Sequence, residues 1–346
     1  MGTQYNAVAA KVRAMYGLRV TRDDYSRMAA MSSVSEFGQF LRSHPSYGET
    51  LGHLPAASLE DAEALEETLE KDLLNDYFRI LSFVARADMP MMRFLAMSME
   101  LREIMRFMHL AEAGRPQEYT FEMPKFFERY SKIRYQQLVD ATDYSGMLDA
   151  LRDTNYYAIL SQLELRPSGW PDYTTVEMAI RSSYYRWVMS TVRKHYNGAQ
   201  QQALKEAVGI EVDMRNITTI MRVKRSFPKA IESVAGYMLP VYYRLKPDLV
   251  KQLIAAPNEE AMLNLLRHSG FESLFPEQAY EDVDRYYYNG MISFYRRLLR
   301  AGTPHVGTPM AYLHLKELEI HNLITLVECV RYQVPAEKAM SYLYLI

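Results

Sequence analysis

The chain has 346 residues, of which 49% are hydrophobic and 24% are charged. This length is enough for about two domains, and the composition is typical of a folded globular protein, so a disordered or low-complexity chain is excluded. The 40 Lys and Arg residues against 42 Asp and Glu residues give a net charge of -2. Because non-specific nucleic-acid binding depends on a basic excess, we expect no nucleic-acid partner.

Apolar residues recur at helical spacing from the first part of the chain onward. Ser33, followed three residues later by Glu36, marks one helix start. From Leu59 to Val84 the apolar residues step by three and four, which predicts one long amphipathic helix beginning at Ser58. Pro90 interrupts this pattern, and a further helix is predicted after it.

The second half of the chain shows the same spacing with its own boundary signals. Thr174 with Glu177 and the run from Pro257 to Glu260 mark helix starts, whereas Pro228 and Pro335 follow periodic stretches as stops. No sustained alternation of polar and apolar residues and no hairpin signal between strand-like runs occurs. We therefore predict an all-α fold.

Neither a membrane span nor a signal peptide is expected. The longest run without an acidic or basic residue, Ala301 to Leu315, is broken by two prolines and two histidines. The stretch from Met1 to Tyr5 lacks a basic region followed by an apolar one. Cys329 is the single cysteine, which excludes an internal disulfide and any multi-cysteine metal site and favours a reducing compartment. We expect a cytoplasmic chain.

Two sequence elements recur with a common period. The first is a Leu-Arg pair at positions 41, 151 and 266, spaced by 110 and 115 residues. Each pair opens a block that ends at another leucine, giving the blocks Leu41 to Leu51, Leu151 to Leu160 and Leu266 to Leu274.

The second element is an acidic residue with an amide three residues later on one helix face. Asp213 with Asn216 resembles Glu319 with Asn322, and Glu100 with Glu103 is a weaker first copy in which glutamate replaces the amide. Because these polar groups lie amid apolar neighbours and buried polar groups need partners, we expect them to brace the adjacent part of the fold rather than to perform catalysis.

Two signals with one period predict three similar helical units, 1–118, 119–232 and 233–346. Three copies of one unit most simply form a body with pseudo-three-fold symmetry. A stacked solenoid is the other geometry, although solenoid periods of ~20–50 residues are much shorter than this one.

Motifs for nucleotide binding and common hydrolytic chemistry are absent. The sequence has no Gly-Lys-Ser/Thr, no Gly-x-Gly, no Gly-x-Ser-x-Gly and no His-Glu-x-x-His. The best metal-like arrangement is His314, Glu317 and His321, spaced i, i+3, i+7 on one helix face, which could hold zinc or iron. We favour a solvated or interhelical polar face for these three residues, and we expect no cofactor and no direct nucleotide binding.

Three further features have structural interpretations. The stretch from Glu60 to Asp72 holds seven carboxylates and one lysine, and we interpret it as a solvated helix face, with a docking surface for a basic partner as the alternative. Cys329 is interpreted as a core residue. The tyrosine clusters could line a ligand groove, but without a basic excess we favour helix packing for Tyr184-Tyr185, Tyr242-Tyr243 and Tyr286 to Tyr288.

Six segments along the whole length of the chain carry a family resemblance: Tyr5 to Met15, Leu41 to Leu51, Leu151 to Tyr156, Glu211 to Ile217, Arg222 to Arg225 and Glu317 to Leu323. In their joint order and threefold spacing, these segments resemble the C subunit family of archaeal and bacterial V-type (A-type) ATPases, which is homologous to the d subunit of eukaryotic vacuolar ATPases. Departures from the repeat occur at Glu103, Glu328 and Cys329.

The resemblance implies a funnel-shaped, all-helical, non-catalytic component of the central stalk. In that family this component lies on the cytoplasmic face of the membrane proteolipid ring, as a peripheral part of the complex, and receives the foot of the shaft formed by the D and F subunits. Two other classes stay open at this point. One is a helical enzyme or ligand-binding protein with a site around His314, Glu317 and His321, and the other is a free-standing scaffold.

Overall fold

The computed structural model describes residues 5–121, 131–275, 280–302 and 304–344, so the segment Met1 to Gln4 that entered the signal-peptide prediction lies outside the described residues. The predicted all-α fold is confirmed, because the described ranges contain helices and turns but no strand. The α-helices in these ranges are α1 Asn6–Gly17, α2 Arg22–Ala29, α3 Val34–Ser43, α4 Gly48–Gly52, α5 Ala62–Leu81, α6 Met89–Glu112, α7 Tyr135–Val139, α8 Tyr144–Ala150, α9 Asn155–Leu160, α10 Tyr173–His195, α11 Gly198–Ser226, α12 Pro247–Ala255, α13 Glu259–Arg267, α14 Asp284–Arg300, α15 Gly307–Arg331 and α16 Ala336–Tyr342.

Helix boundaries follow the local capping signals, with two shifts from the sequence prediction. Ser33 caps α3 by accepting a hydrogen bond from the Glu36 N–H, as predicted. The predicted start of the long helix at Ser58 is wrong, because residues 56–59 form a short 3₁₀ turn and Asp61 caps α5 instead. Helix α10 is capped by Asp172 rather than by Thr174, so it begins two residues earlier than predicted.

Proline positions agree with the predicted breaks. Pro90 lies in the first turn of α6, where its missing N–H costs nothing because the first helical N–H groups have no intrahelical partner. Helix α11 ends just before Pro228, and residues 228–237 continue as a 3₁₀ segment. Helix α15 ends shortly before Pro335, which is the N-terminal cap residue of α16.

The chain divides into two compact units. Unit 1 consists of Met1–Arg86 with Leu266–Ile346, and unit 2 of Ala87–Leu265. In unit 1 the central helix is α15, which packs against α14, α5 and α1. In unit 2, α10 packs against α6 and α11, and α11 packs against residues 228–237.

The recurring sequence blocks have a common helical plan. Each block lies among short helices and is followed by two long ones, which are α5 and α6, then α10 and α11, then α14 and α15. The second long helix of one copy packs against the first long helix of the next, as α6 does on α10 and α15 on α5. The compact units therefore do not follow the predicted limits of 1–118, 119–232 and 233–346, which remain a prediction.

No helix of the described ranges is both long enough and apolar enough to span a membrane.

Candidate functional site

The six predicted polar positions lie as three pairs, each one turn apart on the second long helix of a copy. The first pair is on α6, the second on α11 and the third on α15. Most of these side chains are buried, and Asp213 is fully buried. Each pair contacts segments outside its own helix, and the residues in question are Glu100, Glu103, Asp213, Asn216, Glu319 and Asn322.

Asp213 accepts three backbone hydrogen bonds from the segment that leads into α12. The N–H of Tyr243 donates to Oδ1 at 3.0 Å, and the N–H groups of Arg244 and Leu245 donate to Oδ2 at 2.6 and 3.0 Å. Pro247 begins α12 and keeps the preceding residue extended, so the helix does not reach back to include these donors. Burial raises the pKa of Asp213 above its ordinary value, while the three N–H groups act in the opposite direction.

The approach of this segment to α11 depends on Gly209, which lies one turn before Asp213. A Cβ atom at position 209 would lie 2.5 Å from Cβ and Cγ of Tyr243. This distance is shorter than any ordinary carbon–carbon contact, so glycine is required here for the close approach rather than for its backbone angles.

The two repeated amides make the same pair of contacts. Asn216 donates from Nδ2 to the carbonyl of Leu239 at 3.0 Å and accepts from the N–H of the same residue at 2.7 Å. Asn322 donates to the carbonyl of Tyr344 at 3.1 Å and accepts from its N–H at 2.9 Å. Each side chain therefore pairs with one residue as a neighbouring strand would, and fixes the backbone at that residue.

Glu319 contacts two segments near the start of the chain. The N–H of Val20, just before α2, donates to Oε2 at 3.0 Å, and the hydroxyl of Tyr47 donates to Oε1 at 2.6 Å. Tyr47 is fully buried, and this burial, with the carboxylate beside it, holds the pKa of its hydroxyl well above the usual value.

Glu100 and Glu103 of the weaker first copy also bind neighbouring segments. Glu100 accepts from the hydroxyl of Tyr156 at 3.0 Å. Burial raises the pKa of Glu100, and the polar side chains of Ser131 and Tyr156 act against that rise. Glu103 accepts from the hydroxyl of Tyr119 at 2.8 Å and pairs with Arg106 at 3.2 Å. The glutamate that replaces the repeat amide thus binds a side chain where the amides bind backbone.

A buried ionic cluster that the sequence prediction missed joins α5 to α15. Lys316 Nζ lies 2.9 Å from Asp72 Oδ2 and 3.7 Å from Oε1 of Glu319, and it lies over the ring of Tyr47 at 3.7 Å from the centroid. Nearby, Asp76 accepts from the hydroxyl of Tyr312. The interpretation of the acidic stretch as a solvated face is wrong for Asp72, which is 1% exposed.

The sequence contains a signal for this cluster. Asp72 and Asp76 are one turn apart and continue the inward stripe of Leu65 and Leu69. Lys316 lies three residues before the repeat acid, at a place where the other copies carry apolar residues, Ile210 and Met97. Asp72 and Lys316 can form a pair only because α5 packs against α15. This packing cannot be predicted from the sequence of one chain.

The structure does not arrange His314, Glu317 and His321 as a set of metal ligands. Among the described residues no group of three His, Cys, Asp or Glu side chains is arranged to hold a metal ion. His314 lies 3.7 Å from Glu317 and stacks on Tyr295, whereas His321 stacks on the rings of Tyr288 and Tyr344. Burial lowers the pKa of His321, and the nearby charge of Glu317 acts in the opposite direction.

Cys329 and one tyrosine cluster contribute to packing. Cys329 is buried, and burial raises the pKa of its thiol. Tyr184 and Tyr185 contact each other edge-on at 4.9 Å, and the Tyr185 hydroxyl donates to Glu211 at 2.6 Å and accepts from Arg215 at 2.8 Å. These hydroxyl and carboxylate groups bind one another and fix α10 to α11.

Comparison with known proteins identifies one family. The model of the ATP synthase (C/AC39) subunit family matches residues 8–342. The C subunit of the A-type ATP synthase of Methanobrevibacter smithii is 23% identical over 342 residues, which covers 92% of this chain and 82% of the relative. The protein of the same name from Methanothermobacter thermautotrophicus is 21% identical over 330 residues, with coverages of 91% and 80%.

Proposed function

Because the chain belongs to the ATP synthase (C/AC39) subunit family and is a component of an ATP synthase, we propose that it is the non-catalytic central-stalk component of an A-type enzyme. In this role it joins the shaft of the D and F subunits to the membrane proteolipid ring, so that rotation passes between ATP chemistry and ion transport. It works at the cytoplasmic side of the membrane as a peripheral part of the complex.

The observation that carries this proposal is the extent of the family match. The match covers residues 8–342, and the alignment with the Methanobrevibacter relative covers most of both chains, so the likeness includes the whole plan of the chain rather than one module of it. We therefore base the proposed function of this chain on that of the whole family.

The arrangement of buried polar groups supports a structural role. The carboxylates of Glu100, Asp213 and Glu319 accept hydrogen bonds from backbone N–H groups or hydroxyls of neighbouring segments. Groups held in this way stabilise a fixed shape, which a protein that transmits torque needs. We propose further that the three predicted units, 1–118, 119–232 and 233–346, are related by a pseudo-three-fold axis and form a funnel for the shaft.

Reconstitution tests the proposal. The purified chain is mixed with D–F shaft and with detergent-solubilised proteolipid ring from the same organism, first separately and then together, and the complexes are weighed by native mass spectrometry. We expect one copy of the chain to bind each partner and to bridge the two. Binding to neither partner at low and at moderate salt would overturn the proposed role, although family membership would stand.

Two matched variants locate the contacts. Phe227 in unit 2 and Tyr332 in unit 1 are large apolar side chains that are 64% and 70% exposed. Their replacement by alanine leaves the buried residues intact, so a loss of binding in one variant assigns that partner to one unit. Circular dichroism of both variants checks that the fold is unchanged.

A further inference from the structure

A small cavity of unit 1 lies among the helices α1, α2, α14 and α15. Its volume is about 40 Å³, and every residue that lines it belongs to unit 1. Because one water molecule needs ~10–15 Å³, the cavity has room for about three water molecules. A tetrahedral oxyanion occupies a similar space. Arg19 and Arg296 line the cavity and are half-buried, so solvent and small ions can reach it.

The two guanidinium groups at this cavity are fixed by the same tyrosine. Arg296 donates from Nε to the hydroxyl of Tyr16 at 3.0 Å. Arg19 donates from Nη1 to the carbonyl of Tyr16 at 3.2 Å and lies over its ring at 4.5 Å from the centroid. Each contact uses one of the several N–H donors of a guanidinium, so most donors of both groups are available to a ligand.

Positive charge exceeds negative charge around this cavity. Within the part of the chain that the structure describes, neither Arg19 nor Arg296 forms an ion pair. Lys316 lines a smaller cavity of about 10 Å³ next to the first one, but its charge is offset by Asp72 at 2.9 Å. Two guanidinium groups therefore face the single carboxylate that lines both cavities, Glu319. This balance favours an anionic ligand.

Glu319 adds a hydrogen-bond acceptor to these donors. Its carboxylate accepts from the N–H of Val20 and from the hydroxyl of Tyr47. A carboxylate can accept about four hydrogen bonds, so Glu319 can accept a further one from a ligand. An anion that offers only acceptor oxygens would be repelled by Glu319, whereas an anion that carries an O–H can donate to it. The cavity therefore suits an oxyanion that retains a proton.

We propose that this cavity binds inorganic phosphate in a protonated form, with Arg19 and Arg296 donating to its oxygens and Glu319 accepting from its O–H. Guanidinium groups match the geometry of phosphate oxygens and bind them with charge-assisted hydrogen bonds. Sulfate has the same shape but retains no proton at neutral pH, so it would place an acceptor oxygen against the carboxylate. The site therefore selects phosphate over sulfate. The inference concerns the interior of unit 1 and does not depend on the proposed function.

Isothermal titration calorimetry of the full chain tests the proposal. Inorganic phosphate, sulfate and chloride are titrated at pH 7 and at equal ionic strength. We expect one phosphate to bind per chain and sulfate to bind at least about tenfold more weakly, because it leaves the carboxylate facing an acceptor. No binding at millimolar phosphate, or equal binding of phosphate and sulfate, would overturn the proposal.

A phosphomonoester distinguishes the free ion from a phosphate group on a larger molecule. Glycerol phosphate also retains a proton for part of the time at pH 7, but it is larger than a cavity of about 40 Å³ accommodates. We expect it to bind more weakly than inorganic phosphate. Tighter binding of the ester would overturn the assignment to the free ion.

Neighbouring arginines of α14 provide a variant and its control. Arg296→Gln removes charge-assisted donors and should weaken phosphate binding about tenfold. Arg297→Gln changes the next residue, which is exposed and is not among the residues that line the cavity. It should leave the affinity unchanged. Equal phosphate affinities of the two variants would overturn the proposal, and circular dichroism checks that both are folded.

Glu319→Gln tests the acceptor separately. The amide has a similar shape but can donate to sulfate, so the preference for phosphate over sulfate should disappear. Glu317→Gln, on the same helix, changes a side chain that is 45% exposed and should keep the preference. An unchanged preference in folded Glu319→Gln would overturn the role of the carboxylate. If this variant unfolds because Val20 and Tyr47 lose their charged acceptor, the phosphate–sulfate comparison on Arg296→Gln and the original chain still decides the proposal.

Discussion

The contact of α5 with α15 and the contact of α6 with α10 both join long helices of successive copies, but they do so through different kinds of side chain. We call the contact of α5 with α15 the ionic seam and that of α6 with α10 the aromatic seam. The ionic seam in unit 1 contains the buried pair of Lys316 and Asp72. The aromatic seam in unit 2 contains Phe94, which contacts Trp187 edge-on at 4.5 Å and Tyr184 at 6.3 Å.

The difference shows that the repeated helical arrangement does not determine whether a buried position carries a charged or an apolar side chain. Lys316 and Met97 are both buried and both lie three residues before the repeat acid, so one position of the repeat accepts a charge or a thioether. A buried charge is tolerated only with its partner, whereas apolar side chains need only the right volume. The two seams should therefore respond differently to single and to paired substitutions.

The largest effect is expected at the ionic seam. Lys316→Met makes position 316 resemble position 97 but leaves the Asp72 carboxylate buried without its cation, which should cost about 3–5 kcal/mol in the free energy of unfolding of unit 1. Adding Asp72→Leu should recover most of this loss, because an apolar pair of similar volume avoids the desolvation of both charges. Urea unfolding of both variants measures the two values.

A double variant no more stable than the single one would contradict this account of the ionic seam. Lys251→Met serves as the control, because Lys251 is 80% exposed and its pairing with Asp248 is a surface contact. We expect a change of less than about 1 kcal/mol for it.

The aromatic seam should be nearly as sensitive to truncation but should show no dependence on charge. Phe94→Ala leaves a cavity against Trp187, for which about 3–5 kcal/mol is expected in unit 2. The loss should be the same at low and high salt, whereas that of Lys316→Met includes an electrostatic part. Arg93→Ala is the control, because the exposed Arg93 lies over the Trp187 ring at 5.9 Å and should contribute about 1 kcal/mol or less.

A smaller effect is expected at Gly209, where α11 differs from both other copies. One turn before the acid, α6 has Ala96 and α15 has Leu315, whereas the glycine of α11 is approached by a side chain so closely that a Cβ does not fit. Gly209→Ala gains about 1 kcal/mol in helix propensity but must push Tyr243 away, at about 1–3 kcal/mol.

We expect a net destabilisation of unit 2 by Gly209→Ala, measured by urea unfolding, with increased amide exchange in residues 243–245. Gly236→Ala is a matched control, because a Cβ there meets open space. A variant at 209 that is more stable than the original chain would show that Tyr243 moves without loss of the Asp213 contacts.

The smallest effect concerns the pH dependence at Glu100. Burial raises the pKa of this carboxyl above 4.5, its ordinary value, so between the two values the folded chain holds a proton that the unfolded chain has released. The stabilisation from this group is therefore complete below pH 4.5 and is lost as the pH rises through the folded pKa. The difference in unfolding free energy between the original chain and Glu100→Gln should fall over that range, as measured by urea titrations at several pH values.

Features that depend on local pattern are predictable from the sequence. Helical spacing, the cap at Ser33 and the breaks at Pro90, Pro228 and Pro335 follow from interactions within a few residues, and the structure has them. The start of α5 differs from the prediction because Ser58 and Asp61 are both good caps, and Ser58 lies inside a 3₁₀ turn, residues 56–59, that packs against α3 and α5.

The contacts between distant segments are not predictable from spacing. The repeat identifies Asp213 and Glu319 as members of one class, but their partners at residues 243–245 and at Val20 follow from the path of the backbone. The histidines at 314 and 321 have suitable spacing for a metal, yet neighbouring tyrosine rings of α14 and Tyr344 stack on them. Spacing along one helix determines which residues share a face of that helix. It does not determine which other segments pack against that face.

The packing of α6 on α10 and of α15 on α5 determines which fragments of the chain can be expressed as folded pieces. A fragment ending at residue 118 would keep α5 without α15 and α6 without α10, and so would expose both seams at once. Expression of a single repeat should accordingly give an aggregating product, since large apolar patches left open associate. A fragment should instead correspond to a whole compact unit. Unit 2, residues 87–265, is one continuous stretch of chain and is the first fragment to express.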